Sequence, residues 1–249
     1  MPYRSSYNTV SFGVGPVPPA VKWLLITNVA IFLLGFMTMA FGSVDVLAPF
    51  GLSPSMVWRY GAVWQFVTYL FIHSPTSLFH ILFNMLTLWM FGSDLERTWG
   101  SRFFLKYYFA CGIGAGFLDF LVRTVYGPMD VRTIGASGAI YGLLLAFGML
   151  YPNRTILFMF LFPIQAKYFV MIIGAIAFFS SFGSGSGVSH LAHLGGMLFG
   201  FAYLQLHRRR TSLFDYLAQE YQAYKLRRAK RKFQVYMRKR DGNDDRWVN

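Results

Sequence analysis

The chain has 249 residues, of which 55% are apolar, 19% are aromatic and only 13% are charged, and its formal net charge is +13. Soluble domains carry about 25% charged residues, so this composition argues against an ordinary soluble protein and for a membrane protein. The single cysteine excludes an internal disulfide.

Apolar stretches indicate the fold, because a helix that spans a membrane needs about 20 mostly apolar residues. Six such stretches occur in chain order, at 22–42, 77–93, 103–123, 133–151, 166–182 and 190–207. No long polar linker separates them. The sequence therefore predicts an all-α, polytopic membrane protein whose six transmembrane helices form one bundle within residues 21–207. Since the shorter stretches lie near the length limit, five or seven spans are alternatives.

The two flanks have a different composition from the bundle. Residues 1–20 are rich in Gly, Pro and Ser and are predicted to be a flexible N-terminal segment. The tail, residues 208–249, holds 13 of the 23 Lys and Arg residues. It is predicted either to lie on anionic lipids or to be a solvated tail. Nucleic-acid binding is not expected, because a membrane location explains the charge without it.

Basic residues also indicate the orientation, since Lys and Arg are retained on the cytoplasmic side of short loops. They cluster after the second, fourth and sixth stretches, with Arg208, Arg209 and Arg210 closing the sixth. Both termini are therefore predicted to be cytoplasmic, in what we expect to be a bacterial cytoplasmic membrane. The polar N-terminus does not predict a cleavable signal peptide.

Polar residues that would form a reactive site occur on three of these stretches. His80 and Asn84 begin the second stretch, Ser137 lies about one turn into the fourth, and His193 lies about one turn into the sixth. With a cytoplasmic N-terminus, all three stretches run from outside to inside, so these side chains are expected in one layer near the outer face. Polar groups at such depth are functional candidates.

A serine and a histidine at the same depth suggest nucleophilic catalysis. The Ser137 hydroxyl needs a base to accept its proton, and a neutral imidazole at about 2.6–3.2 Å can do this. His193 is the expected base, with His190 as an alternative on nearly the same helical face. Their helices can approach closely if both present small residues, which Gly138 with Gly142 and Gly196 with Gly200 would do, although such spacing is also ordinary membrane packing.

Acyl transfer also requires donors for the developing oxyanion. The backbone N–H of Ser137 is suited to this because amides in the first turn of a helix are unpaired, and His80 and the Asn84 amide would complete the site. Alternatively, His80 and Asn84 form a pair that holds helices together. Tyr141 lies one turn below Ser137, where it would either pack on the base or be a plain core residue.

These motifs, Gly135-Ala136-Ser137-Gly138 with Tyr141, Ala192-His193-Leu194-Gly195-Gly196, and His80-Ile81-Leu82-Phe83-Asn84, resemble those of the rhomboid intramembrane serine proteases over roughly residues 50–205. The resemblance implies a six-helix core with Ser137 as nucleophile and His193 as base. It implies an oxyanion and substrate-binding site of His80, Asn84, Ser137 and Tyr141, with no cofactor and no metal. The substrates would be single-span or polytopic membrane proteins, cleaved within or near their transmembrane segments beside a small side chain.

Some details and alternatives are left open. The family often has Trp-Arg in the outer loop, whereas this chain has Trp64-Gln65 there and a separate Trp58-Arg59 upstream. That loop, residues 43–76, is expected to be partly embedded beside the site. The Gly-Ser run at 183–187 is expected to cap the cavity and to move as substrate enters.

Competing functions make different demands on the residues. A zinc site of His80, His190 and His193 lacks the His-Glu-x-x-His pattern. Asp119 with Arg123 one turn on is expected to be a local ion pair. A non-catalytic, rhomboid-like protein that binds transmembrane helices for quality control is the main alternative. A small-solute transporter is the third, and the lack of paired acidic residues in the spans weakens it.

Overall fold

The computed structural model of the protein describes residues 15–42, 44–158, 161–181 and 190–209, with four single residues farther on. Contacts divide the chain into two units, Met1–Tyr203 and Leu204–Asn249, and the site lies in the first. The expectations for the Gly-Ser run at 183–187 and for nearly all of the basic tail lie outside the described residues. The predicted three-part division of the chain stays a prediction.

Helices dominate the described part of the chain. Their bounds are Pro19–Gly42 (α1), Pro54–Tyr60 (α2), Gln65–Thr68 (α3), Leu78–Thr87 (α4), Ser93–Trp99 (α5), Ser101–Tyr126 (α6), Ser137–Leu150 (α7), Ala166–Ser180 (α8) and 190–209 (α9). Short 3₁₀ turns lie at Ala48–Phe50 and Tyr69–Phe71, and a π-helical turn at Leu88–Gly92 joins α4 to α5.

Three of the described helices are long and apolar enough to cross a membrane: Pro19–Gly42, Leu78–Trp99 and Ser101–Tyr126, with 24, 22 and 26 residues. By contrast, α7 and α8 are apolar but have only 14 and 15 residues. The count of six spans therefore stays a prediction. One reason for the short α7 is that it begins at Ser137 and not at 133, because Thr133 forms a β-bridge with Leu52 and Gly135 has a φ of +116°.

A β-hairpin lies between α7 and α8, where a loop between two spans was expected. Its strands, Thr155–Phe158 (β1) and Phe162–Gln165 (β2), are antiparallel, with Thr155 opposite Gln165 and Ile156 opposite Ile164. The all-α prediction does not include this element. β-branched and aromatic residues favour strands, and Pro163 would interrupt a helix, which explains the local departure.

Helix α6 packs against both α7 and α9, the helices that carry Ser137 and His193. Its glycines allow very close approach: a Cβ atom on Gly114 would lie 2.2 Å from the Phe199 ring of α9, and one on Gly116 would lie 2.9 Å from the Tyr69 ring. Association of membrane helices depends on such packing more than on burial of apolar surface. The contact of Gly114 with Phe199 brings α9 close to α6, and the contact of Gly116 with Tyr69 brings the loop before α4 close to it.

The connection between α1 and α4 is organised around Gln65, whose side chain is completely buried. Its carbonyl accepts the Ser53 N–H at 3.0 Å, and its amide donates to the Pro49 carbonyl at 3.0 Å, to which the Trp64 indole also donates at 3.2 Å. Trp58 instead stacks on Phe120 of α6. Trp64 and Gln65 thus hold the loop together internally, whereas Trp58 attaches it to α6 by this stack and by a hydrogen bond to Thr124 at 3.3 Å. The embedding of the loop in a membrane stays a prediction.

Candidate active site

The hydroxyl of Ser137 and the imidazole of His193 form a hydrogen bond, with 2.8 Å between Oγ and Nε2. Ser137 is the first residue of α7, so its backbone N–H has no partner four residues back along a helix. His193 lies in the first turns of α9 and is 7% exposed. Two residues 56 positions apart in the chain are thus in direct contact in a mostly buried place.

Glycines make this contact possible. A Cβ atom on Gly196 would lie 1.8 Å from the Gly138 carbonyl oxygen, and one on Gly142 would lie 3.0 Å from the Gly196 carbonyl oxygen. Farther along α9, a Cβ on Gly200 would lie 2.5 Å from the Tyr107 hydroxyl. The close approach that the sequence predicted for these glycines is confirmed: α7 and α9 meet backbone against backbone.

The Tyr141 ring stacks on the imidazole of His193, with 4.1 Å between ring centroids and only 5° between ring planes. Tyr141 is one turn after Ser137 on the same face of α7. Of its two predicted alternatives, the structure therefore has the one in which Tyr141 packs on the histidine. A flat stack of this kind restricts rotation of the imidazole about its χ angles and keeps Nε2 directed at Ser137.

The other ring nitrogen of His193, Nδ1, is buried and has no hydrogen-bond partner among the described residues. The carboxylate of Asp119 is bound elsewhere: Oδ1 accepts Arg123 Nε–H at 3.0 Å and Oδ2 accepts the Thr133 hydroxyl at 2.5 Å. The predicted ion pair between Asp119 and Arg123 is confirmed. The described part of the site thus presents a pair of catalytic candidates and not a triad.

His80 and Asn84 line the same cavity as Ser137 and His193, a space of about 640 Å³. His80 Nε2 lies 2.8 Å from the place that a Cβ on Gly135 would occupy, and Ser137 Oγ lies 3.8 Å from it. The Asn84 side-chain amide donates to the His80 carbonyl at 2.9 Å, which uses one of its two N–H groups. The structure therefore brings all four predicted side chains together at one end of the bundle.

His190 also lies near the site, with its ring 5.8 Å from that of His193 and at 84° to it. The hydrogen bond of Ser137, however, runs to His193. Across the described residues, no three His, Cys, Asp or Glu side chains are grouped so that they could hold a metal ion.

Tyr69 is a contributor that the sequence did not reveal, because one aromatic residue in an apolar run carries no distinguishing pattern. Its carbonyl accepts the Gly135 N–H at 2.9 Å, and its hydroxyl donates to the Gly112 carbonyl at 2.6 Å. Tyr69 thereby connects α6 to the backbone two residues before Ser137. The φ of +116° at Gly135 is rarely adopted by other residues, which accounts for a glycine at this position.

His73 is a second residue near the site that the sequence did not reveal. Its side chain is 2% exposed, its ring lies 5.1 Å from that of His80, and neither ring nitrogen has a hydrogen-bond partner among the described residues. It lies in the connection that leads into α4, outside the spanning helices. Burial, together with the nearby His80, lowers the pKa of His73 to about 3, so the ring is neutral at ordinary pH.

The chain is similar to known proteins of one family. A model of the Rhomboid domain matches residues 60–210. The rhomboid protease GluP of Bacillus subtilis is 33% identical over 159 residues, which are 64% of this chain and 29% of GluP. The putative rhomboid protease YdcA of the same organism is 35% identical over 159 residues, 60% of this chain and 72% of YdcA. The mitochondrial Rhomboid protein 1 of Saccharomyces cerevisiae is 31% identical over 140 residues, 52% of this chain and 38% of that protein.

The chain belongs to the rhomboid family, since the family model matches more than half of it. It is a mainly helical, integral membrane protein. The family consists generally of intramembrane serine proteases that act on membrane proteins in the bilayer. The aligned part covers less than a third of GluP, and the relatives include mitochondrial proteins.

Proposed function

We propose that this protein is an intramembrane serine endopeptidase in which Ser137 is the nucleophile and His193 is the general base. The observation that carries this proposal is the hydrogen bond of 2.8 Å between Ser137 Oγ and His193 Nε2. That distance is within the range needed for a base to accept the serine proton. The substrates are transmembrane segments of other membrane proteins, which the enzyme cleaves beside a small side chain.

The reaction begins when Ser137 Oγ attacks the scissile carbonyl carbon while His193 Nε2 accepts its proton. The carbonyl oxygen becomes an oxyanion, which the Ser137 N–H, His80 and the free N–H of Asn84 stabilise. When the C–N bond breaks, His193 Nε2 returns the proton to the departing amine. Water then attacks the acyl-enzyme while His193 Nε2 accepts its proton, and Nε2 returns that proton to Ser137 Oγ as the ester C–O bond breaks. For Nε2 to accept a proton, the neutral imidazole carries its own proton on Nδ1.

Three features of the site support this chemistry. The Tyr141 stack keeps the imidazole in position. The cavity of about 640 Å³ beside the pair has room for an unwound stretch of peptide. Such unwinding is required because the carbonyls of an intact helix are already hydrogen-bonded and shielded by the neighbouring turn.

The membrane orientation is part of the proposal. With the N-terminus in the cytoplasm, α4, α7 and α9 begin at the outer face, so the site opens toward the extracytoplasmic side. The basic residues Arg154 and Lys167, which flank the hairpin, then lie on the cytoplasmic side, as the positive-inside rule requires. We place the protein in a bacterial cytoplasmic membrane, and reporter fusions at both termini would test the topology. Activity at either terminus of a reporter that works only outside the cytoplasm would overturn this topology.

The central experiment measures cleavage of single-span substrates in liposomes, together with labelling by a fluorophosphonate probe. Ser137→Ala should abolish both, and His193→Ala should reduce both by several orders of magnitude, because the serine loses its base. His190→Ala should keep most activity, and Ser181→Ala, at the end of α8, serves as a matched serine control. If folded wild-type protein neither cleaves nor reacts with the probe, binding of transmembrane helices without cleavage replaces this proposal.

A further inference from the structure

Among the described residues that line the cavity, the two charged ones are both arginines. Arg123 lies near the end of α6, and Arg132 lies in the connection from α6 to α7; both line the same space as Ser137 and His193. The lining contains no Asp or Glu among the residues that the structure describes. A peptide that enters this cavity therefore meets two guanidinium groups beside the catalytic candidates.

Arg123 is held in place from one side. Its Nε–H donates to Asp119 at 3.0 Å, and the side chains of the two residues are 16% and 1% exposed. The hydroxyl of Thr133 donates to the other oxygen of the same carboxylate, so this carboxylate is itself fixed. A guanidinium has five N–H donors. The bond to Asp119 uses Nε, and the two terminal nitrogens are the ones with which arginine forms a forked pair with a second carboxylate.

The aliphatic part of the Arg132 side chain is held in place, whereas its guanidinium can exchange one carboxylate partner for another. A Cβ atom on Gly51 would lie 3.5 Å from its Cδ and 3.6 Å from its Cβ, so the aliphatic part lies along the loop backbone. Its guanidinium pairs with Asp45 at 2.7 Å, with side chains 42% and 38% exposed. Surface pairs of this kind contribute little free energy, so another carboxylate can replace Asp45 without large loss.

We propose that Arg123 and Arg132 select substrates that carry an acidic side chain, Asp or Glu, within a few residues of the scissile bond. This inference rests on the proposed peptidase function and adds a substrate class to it. A carboxylate that lies in the cavity forms charge-assisted, forked hydrogen bonds with the two guanidiniums. Such bonds change kcat/KM by about 10-fold or more relative to an uncharged isostere.

The test compares substrates that differ only in charge. A single-span substrate is prepared with Asp, Asn or Lys at successive positions flanking the scissile bond, and kcat/KM is measured in liposomes of zwitterionic lipid. At one or more positions the wild type should prefer Asp over Asn by about 10-fold, and added salt should weaken the preference. Arg132→Gln and Arg123→Gln should each reduce the preference, and Arg132→Glu should favour Lys.

Two controls keep the result interpretable. Arg59→Gln removes an exposed arginine of α2 that is not in the cavity lining, and it should leave the preference unchanged. Fluorophosphonate labelling of Ser137 shows whether each variant is folded and reactive. If only Arg132→Glu misfolds, the comparison uses Arg132→Gln in its place.

Equal cleavage of Asp and Asn substrates by the wild type at all positions overturns the inference. Variants that lower kcat/KM for both substrates by the same factor overturn it as well, because they show a structural role. Both outcomes leave the peptidase proposal intact. A wild type that cleaves no substrate and does not react with the probe overturns the peptidase proposal itself, and this inference falls with it.

Discussion

Replacing Gly196 with alanine is the most direct perturbation of the site that leaves every catalytic candidate in place. The new Cβ would lie 1.8 Å from the Gly138 carbonyl oxygen, whereas ordinary contact begins at 3.4 Å. The obstacle is backbone and not a flexible side chain, so α7 and α9 must separate by about 1.6 Å. Overpacking of this kind destabilises a protein by about 1–3 kcal/mol.

The separation should also reach the reactive pair. Gly138 directly follows Ser137, and Gly196 lies one turn after His193, so the 2.8 Å bond between Oγ and Nε2 should lengthen beyond hydrogen-bonding range. A misplacement of about 1 Å can lower turnover on the order of 100-fold. We therefore expect Gly196→Ala to be folded, less stable, and slower by about that factor in both substrate cleavage and probe labelling.

The assay is kcat for a single-span substrate in liposomes, with thermal unfolding in detergent measured in parallel. The matched control is Gly174→Ala on α8, where the new Cβ meets the flexible end of Met197 at 3.2 Å and should be tolerated. Gly200→Ala, which meets the Tyr107 hydroxyl at 2.5 Å farther from the pair, should have an intermediate effect. If Gly196→Ala cleaves as fast as Gly174→Ala, the argument from helix approach is wrong.

Three further predictions concern single side chains. Glu96 accepts the Ala20 N–H at 2.9 Å and a second α1 amide at 2.8 Å, so Glu96→Ala should lower the free energy of unfolding by about 2–3 kcal/mol; a thermal unfolding curve like that of wild type would contradict this. His73 has a pKa of about 3 when folded against 6.5 when exposed, so the unfolded chain binds more protons between these values and stability should fall as the pH is lowered from 6.5 toward 3. His73→Phe should flatten that profile in unfolding scans, and an unaltered slope would show that another group is responsible. Tyr141→Leu should slow cleavage by about 5- to 10-fold through loss of the stack on His193, while Tyr141→Phe should not; equal rates for the two variants would argue against stacking.

Local sequence patterns predicted most residues of the candidate site. Ser137, His193, His80 and Asn84 stand out because polar side chains are costly in apolar helices and therefore rare there, and equal depth on helices of the same direction predicted one layer. The glycine spacing likewise predicted the contact of α7 with α9, because small residues are what permits backbones to approach. These are features of single helices, and the chain alone displays them.

Other features depend on contacts between distant segments. Tyr69 and Gln65 gain their parts from partners such as Gly135 and Ser53, and no local period identifies such partners in advance. The start of α7 at Ser137 was mispredicted because hydropathy continues to residue 133, whereas the bridge of Thr133 to Leu52 ends the helix earlier.

The sequence by itself determined the membrane class of this protein, the family resemblance and the residues that compose the site, because composition, helical period and short motifs are properties of neighbouring residues. Only the tertiary structure decided that Ser137 bonds to His193 while His190 lies edge-on beside it. It also decided that Asp119 accepts the Thr133 hydroxyl, in addition to its predicted ion pair with Arg123. The physical reason is that a hydrogen bond depends on distances of a few tenths of an ångström, which the packing of α6, α7 and α9 against one another sets.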